Sequence, residues 1–466
     1  MSFDTPLFLS VFLPVVVLLH AAVKKNGIRN WILIAAGLVF YAFGSLSGMA
    51  VMLAGAVFNF LLCRLLANSP RKSVLVVGIV CDLALLVAFK YLRFIAGELL
   101  GLDETAFAAG SIAAPLGISF FVFKNISCLI DTYRDPGHGP RSFSDHLLYV
   151  SFFPQAMAGP ITRFPEFAPF IESRSVTAPG IASGLRRFIL GLGKKLLLVS
   201  VVSGVTDAIF ALDGSRLSVG AAWLGAVSYL LQIYIDFSSY SDMAIGLGTA
   251  FGFETPENFN SPYMASSITD FWRRWHISLS RWFKDYLYIP LGGNRRGKLR
   301  AALNKFIVFT LCGLWHGGAW TYIIWGAWHG LLSALETMQI IPTKRLSGNA
   351  PGRVLMRVYT LAAVCIGFVV FRAPDLSGAV TMLGAMFGAA GAAPVGFMQM
   401  TVGAEQICAL LLCVVFCFPL ERLFSKLEEK CSAVTPVSYV LALCLLVCCL
   451  CASAALGFRP FIYAQF

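Results

Sequence analysis

The sequence predicts an all-α, polytopic integral membrane protein. About 11 transmembrane helices, with re-entrant and interfacial amphipathic helices between them, fill a single membrane-embedded domain over residues 1–466. Three observations carry this. Of the 466 residues 58% are hydrophobic, and the 13% that are charged are about half the share of an ordinary soluble domain. Mean hydropathy is +0.76. Apolar runs long enough to cross a hydrocarbon layer of roughly 30 Å recur from Pro6 toward the C-terminus. These features exclude a soluble enzyme, a disordered chain, a coiled coil and a disulfide-stapled secreted module. A transmembrane barrel would need alternating segments of about 10 residues, which the long runs are not. No internal repeat or linker rich in Pro and Gly marks a second domain.

The elements follow in order from runs and charges. Met1 to Thr5 carries Asp4 and no basic residue, the run Pro6 to Val23 is long, and Lys24, Lys25 and Arg29 come after it. This predicts an uncleaved first span with its N-terminus outside. Spans near 31–45 and 49–66 return to Arg64, Arg71 and Lys72 on the cytoplasmic side. A span near 73–95 leads to the acidic Glu98, Asp103 and Glu104, and one near 110–130 comes back to Arg134, His138 and Arg141. Leu147 to Ile161 is apolar but short and broken by Pro154, Gly159 and Pro160, so it reads as re-entrant or interfacial. After Arg186, Arg187, Lys194 and Lys195, spans near 196–212 and 218–237 lead to the long basic stretch Phe253 to Lys305. Phe306 to Leu332 is apolar, interrupted at Gly317 and Gly318, and returns to Lys344, Arg345, Arg353 and Arg357. Spans near 354–371, 403–420 and 436–456 leave the tail Gly457 to Phe466 outside.

Net charge is +12, and its distribution is uneven. Between Phe271 and Arg300 stand eight basic residues (Arg273, Arg274, Arg281, Lys284, Arg295, Arg296, Lys298, Arg300) against Asp285 alone, which is over half the excess. On a soluble domain this patch would point to nucleic acid. Between membrane spans it points to a cytoplasmic loop near anionic lipid, or to an anionic ligand, and no nucleic acid is expected. Most of the thirteen cysteines lie in apolar runs as small hydrophobes, and Cys448-x-x-Cys451 has no histidine partner. Neither a metal site nor a disulfide framework is expected.

Polar groups inside lipid are costly, which makes each a functional candidate. Of six histidines, His20, His138 and His146 have surface or interfacial readings. His316, in Leu314-Trp315-His316-Gly317-Gly318-Ala319-Trp320, lies well inside an apolar run beside two glycines that permit a broken helix. Broken backbone at membrane depth needs protein or a water-filled cavity around it, so a cavity with an imidazole at its wall is expected. Such an imidazole can take and return a proton, as acyl transfer requires; the alternative is a buried histidine bonded to a carbonyl. His276 lies in Asp270 to Tyr286, read as one amphipathic helix in the interface. Trp272, Trp275, Leu279, Trp282, Phe283 and Tyr286 share one face, and Arg273, Arg274, Arg281 and Lys284 the other. His329, in Ala327-Trp328-His329-Gly330, reads as packing or a hydrogen bond. Gln232 to Asp242 could line a channel or hold a neighbouring basic residue, and Lys124, Asn125 and Asp131 interrupt another span. Hydrolase elbows, phosphate-binding loops, zinc-protease helices and dinucleotide fingerprints are all missing from the sequence.

Three blocks give the chain a resemblance: Phe271-Trp272-Arg273-Arg274-Trp275-His276-Ile277-Ser278-Leu279-Ser280, Asp285-Tyr286-Leu287-Tyr288-Ile289-Pro290-Leu291-Gly292-Gly293-Asn294-Arg295, and Leu314-Trp315-His316-Gly317. They resemble the membrane-bound O-acyltransferase family, in its bacterial polysaccharide branch. Pro115 to Phe121, Phe153-Pro154-Gln155, Ala158 to Ile161, Tyr234 to Ser238 and Pro460 to Tyr463 extend the likeness along most of the chain. Lys124 departs from it, standing where this branch has a glutamine. The resemblance implies helices around a central tunnel, His316 as the catalytic residue, either general base or transient acyl carrier, and His276 as a second polar group at the reaction centre. Trp315, Trp272, Arg273, Arg274, Asp285, Asn294, Arg295 and Asp236 are the expected substrate and donor contacts. It also implies cytoplasmic acetyl-coenzyme A as donor substrate with no bound cofactor. The acetyl group would cross a bacterial inner membrane to an extracytoplasmic SGNH-type acetyltransferase partner, for O-acetylation of a polysaccharide such as alginate or peptidoglycan. A D-alanyl or lipid acyltransferase of the same family is the alternative. A secondary transporter is the competing class, although the break at Gly317 has no counterpart in a second half.

Overall fold

In lipid a backbone must satisfy its own N–H and C=O groups, which within one segment only a helix does. Every regular element among the described residues of the computed structural model is helical. The structure describes residues 1–102, 114–389, 402–431 and 433–455. Asp103, Glu104, the start of the span expected near 110–130 and the tail Gly457 to Phe466 lie outside them.

The chain divides into two compact units. The first holds Met1–Leu192, Tyr240–Glu257 and Leu446–Phe466; the second holds Gly193–Ser239 and Asn258–Leu445. The first contains α1 (Phe8–Ala22), α2 (Asn26–Gly44), α3 (Leu46–Asn68), α4 (Lys72–Tyr91), α5 (Ile118–Arg134), α6 (Phe143–Ser151) and α7 (Phe164–Glu172). The long helices α8 (Ala178–Phe210) and α9 (Val219–Ala250) cross the boundary in sequence. The second unit adds α10 (Ile268–Arg274), α11 (Ile277–Phe283), α12 (Gly297–His316), α13 (Trp320–Thr337), α14 (Ala350–Arg372), α15 (Leu376–Met386), α16 (Ala404–Phe416) and α17 (Leu420–Lys430). The last helix is α18 (Val434–Ala455).

Helix starts follow local chemistry. Ser45 accepts from the Gly48 N–H at 3.0 Å to open α3, Asn349 from Gly352 at 2.8 Å to open α14, and Asp375 from Gly378 at 2.7 Å to open α15. Seven described helices are long and apolar enough to cross a membrane: α2, α3, α4, α8, α9, α14 and α18. Of three shorter apolar ones, α1 and α16 stand where spans were expected, and α15 lies where none was. The chain is a multi-pass membrane protein, and large apolar side chains such as Leu18, Leu61, Val80 and Leu441 are exposed on its helices. The described part of the span near 110–130 is α5, 17 residues long and buried along nearly all its length, so it acts as a core helix.

Two sequence expectations change here. The amphipathic helix expected over residues 270–286 is broken. Trp275 is extended and His276 left-handed (φ 44°, ψ 55°), which separates α10 from α11. The predicted apolar face survives the break, because Trp272, Trp275, Leu279, Trp282, Phe283 and Tyr286 are all buried in protein. His20 and His146 are also fully buried, not at the surface. His20 receives Arg174 Nη2 at 3.3 Å, and His146 sits inside α6 against Cys128 of α5. Leu147 to Ile161 is buried and does not span: Leu147 to Ser151 finish α6, and the rest is non-α backbone with one short 3-10 turn at Phe153–Gln155. The polar stretch on α9 holds basic residues of α8: Arg187 bonds Asp242 in the first unit, and Lys195 bonds Asp236 at 2.7 Å in the second.

Candidate active site

The candidate site is built on the α12–α13 hairpin. Its two helices approach closely because glycine stands wherever one backbone meets the other. A Cβ at Gly313 would fall 2.2 Å from the Tyr322 carbonyl oxygen, one at Gly326 2.3 Å from that of Phe309, and one at Gly330 3.0 Å from Phe306. The turn between them is Gly317-Gly318-Ala319, where a side chain at Gly317 would strike the Tyr322 ring at 2.5 Å. The broken helix read from the paired glycines is therefore a hairpin tip, and His316 is the last residue of α12.

His316 is 3% exposed. Its imidazole is walled edge-to-face by Trp315 (centroids 5.0 Å apart), Trp325 of α13 (5.1 Å) and Phe371 of α14 (5.3 Å). Lys305 lies eleven residues earlier on the same helix. At 1.5 Å per residue the imidazole stands about 16 Å further along the axis, half the depth of a hydrocarbon layer of roughly 30 Å.

His276 is held by hydrogen bonds. Asn258 Oδ1 accepts from the Ser278 backbone N–H at 3.2 Å and from its hydroxyl at 2.8 Å, and lies 3.1 Å from His276 Nδ1. A backbone N–H can only donate, so the Asn258 atom is its oxygen and His276 Nδ1 carries the proton. The lone pair is then on Nε2. The left-handed backbone of His276, unfavourable for a residue with a Cβ, is clamped on either side. Ile277 N donates to Asn258 O and Asn260 N to Arg274 O, both at 2.9 Å. Burial pushes the imidazole well below its ordinary range, to about 3. The Phe237 ring meets it edge-on at 4.6 Å.

Aromatic rings join the two histidines. Trp275, beside His276, packs on Phe368 at 5.2 Å, Phe368 on Phe371 at 6.4 Å, and Phe371 on His316. Trp272 is two rings from His316 through Trp325, and its indole N–H donates to His329 Nδ1 at 3.4 Å. His329 is thus a hydrogen-bonded core residue, as its sequence reading had it.

At the base of the hairpin, near the start of α12 and the end of α13, lies a cleft of about 1040 Å³. Arg273, Lys298, Lys305, Lys344 and Arg345 line it, against the carboxylates of Asp270 and Glu336. Both carboxylates are engaged. Glu336 accepts from the N–H groups of Ile268 (2.7 Å) and Thr269 (2.9 Å), capping α10, and Asp270 pairs with Arg274 at 3.0 Å. The cleft is therefore basic and suited to a phosphate-bearing ligand.

Of the expected contacts, Arg273 and Asn294 line this cleft, and Trp315 and Trp272 belong to the ring system around His316. Arg274 is turned to Asp270. Arg295 is exposed and does not line the cleft, Asp285 is half-buried in the helical stretch Lys284–Tyr288 that continues α11, and Asp236 is buried against Lys195. Sequence reasoning missed Asn258, Trp325, Phe371 and Glu336. It also assigned Lys344 and Arg345 to topology alone.

The model of the membrane-bound O-acyltransferase (MBOAT) family matches residues 135–354. The chain is similar to the probable alginate O-acetylase AlgI of Pseudomonas syringae pv. tomato, 41% identical over 83% of this chain and 75% of that protein. It is similar to the peptidoglycan O-acetyltransferase of Helicobacter pylori, 36% identical over 83% of this chain and 80% of that protein. Likeness to the teichoic acid D-alanyltransferase of Bacillus subtilis is 30% over 55% of this chain and 68% of that protein. Matches of this identity and coverage, around a buried histidine at a hairpin tip, mean that the chain belongs to the membrane-bound O-acyltransferase family and is a multi-pass membrane O-acyltransferase.

Proposed function

We propose that this protein takes the acetyl group of acetyl-coenzyme A from the cytoplasmic side of a bacterial inner membrane and passes it outward for O-acetylation of an extracytoplasmic polysaccharide. An SGNH-type acetyltransferase is the receiving partner. The observation that carries the proposal is the hairpin itself, with five basic side chains around its base and His316 at its tip. The basic cleft takes the donor's phosphates, and the thioester reaches along the hairpin to the imidazole. His316 accepts the proton of the acceptor hydroxyl as its oxygen attacks the thioester carbonyl. The C–S bond breaks, and the thiolate leaving group takes that proton back from the imidazolium. His276, with Nδ1–H held by Asn258, offers Nε2 as a second hydrogen-bond acceptor at the reaction centre.

The positive-inside rule supports a cytoplasmic cleft and an N-terminus outside. The longer match to the alginate and peptidoglycan enzymes than to the D-alanyltransferase supports acetyl over D-alanyl as the transferred group. Family membership favours an enzyme over the transporter reading. The test is thiol release from acetyl-coenzyme A by purified protein in detergent. His316→Ala should lower it at least about a hundredfold while the protein still elutes as a folded species, and full activity in that variant would overturn the assignment.

A further inference from the structure

The first unit buries a second polar centre, away from the histidines, where α3, α4 and α5 pack together. Three polar side chains are buried there: Asn59 of α3, Asp82 of α4 and Asn125 of α5, exposed by 0%, 3% and 0%. The register that brings them level can be read from their neighbours. A Cβ at Gly78 of α4 would fall 2.7 Å from Leu129 of α5 and 2.9 Å from Leu62 of α3. Cys63 and Cys128 on the same two helices stand 3.7 Å apart. About one turn from that level, α3 reaches Asn59, α5 reaches Asn125 and the antiparallel α4 reaches Asp82. Asn59 Nδ2 donates to Asp82 Oδ1 at 2.9 Å and to the Gly55 carbonyl at 3.0 Å, and a Cβ at Gly55 would lie 3.7 Å from the Asn125 amide nitrogen.

Three oxygens in this centre, Asn59 Oδ1, Asp82 Oδ2 and Asn125 Oδ1, have no protein partner, and neither has the Asn125 amide nitrogen. A carboxylate inside a membrane span is costly unless a positive charge compensates it. The nearby ammonium of Lys124 is turned to the Tyr149 carbonyl, at 2.9 Å. The Asn125 amide can donate to a neighbouring oxygen but brings no charge, so the carboxylate still lacks a counter-charge. A dehydrated hard cation supplies it, and carboxylate and amide oxygens are the donors such ions take.

We propose that Asn59, Asp82 and Asn125 form a binding site for one monovalent cation of sodium's size, which neutralises Asp82 and ties α3, α4 and α5 together. The test is thermal unfolding of the full-length protein in detergent, at fixed ionic strength and pH 7.5, with sodium chloride or N-methylglucamine chloride. Sodium should raise Tm saturably, by about 5 °C for a site filled well above its Kd. Asp82→Asn should abolish the shift. Asn125→Leu, which keeps the carboxylate, should raise the half-saturating sodium concentration about tenfold and serves if Asp82→Asn does not fold. Equal Tm in the two salts would overturn the site. So would a Tm that moves between pH 5 and 8 but not with sodium, which would make Asp82 a protonated carboxyl.

Discussion

His316 and His276 are the same side chain, buried in the same unit at 3% and 1% exposure, and set in different surroundings. Rings surround His316. Their edge-to-face contacts are each worth about 0.5–1.5 kcal/mol. Around His276, Asn258 dictates which nitrogen carries the proton, and the clamped left-handed backbone leaves the ring little freedom. That setting suits an imidazole that must present a fixed lone pair.

That contrast can be broken experimentally. Beyond the loss expected in His316→Ala, the largest effect should come from Asn258→Ala, which frees the His276 tautomer. We expect kcat to fall about 10–100-fold with the KM for acetyl-coenzyme A unchanged, and Asn258→Asp, which still accepts from Nδ1, to recover most of it. A change in KM alone would mean that His276 serves donor binding. Next in size, Lys305→Glu combined with Lys344→Glu should raise that KM about tenfold, and more at low salt, where charge attraction is less screened. Arg295→Glu, outside the cleft, should leave it unchanged, so equal effects would move the donor site to the exposed turn.

The smallest effect is on stability. His276 has a folded pKa of about 3 and an unfolded value near 6.5. Its contribution is therefore fully present above pH 6.5 and is lost as pH falls toward 3, by up to about 1.4 kcal/mol per unit. His276→Asn should flatten the fall of Tm between pH 7 and 5 relative to the unmodified protein. Parallel slopes would show that the imidazole is not held neutral by the fold.

Much of this was legible in the sequence, for identifiable reasons. The break after His316 could be read because Gly317 and Gly318 interrupt an apolar run, and the pairing of α9 with basic residues because Asp236 and Asp242 stand inside a span. The break at His276 was hidden. The positions that face inward along one continuous helix, Trp272, Trp275, Leu279 and Trp282, also face inward when a left-handed residue divides it, so periodicity cannot separate the two. Depth was equally hidden for His146, because its polar neighbours Ser142, Ser144 and Asp145 read as a surface loop. Packing against α3 and α5 buries it. Asn258 gave no signal, since its role depends on a contact eighteen residues away. The cleft draws Lys344 and Arg345 to Arg273 from some seventy residues downstream.

Gly313, Gly326 and Gly330 restrict what evolution can try along the α12–α13 hairpin. At each of them any side chain larger than hydrogen meets the opposite backbone. Substitution scanning should therefore find a stripe of intolerant positions leading up to His316. That stripe records how near two main chains lie and takes no part in the chemistry at the tip. Loss of activity there should track loss of folded protein, whereas loss at His316 should not.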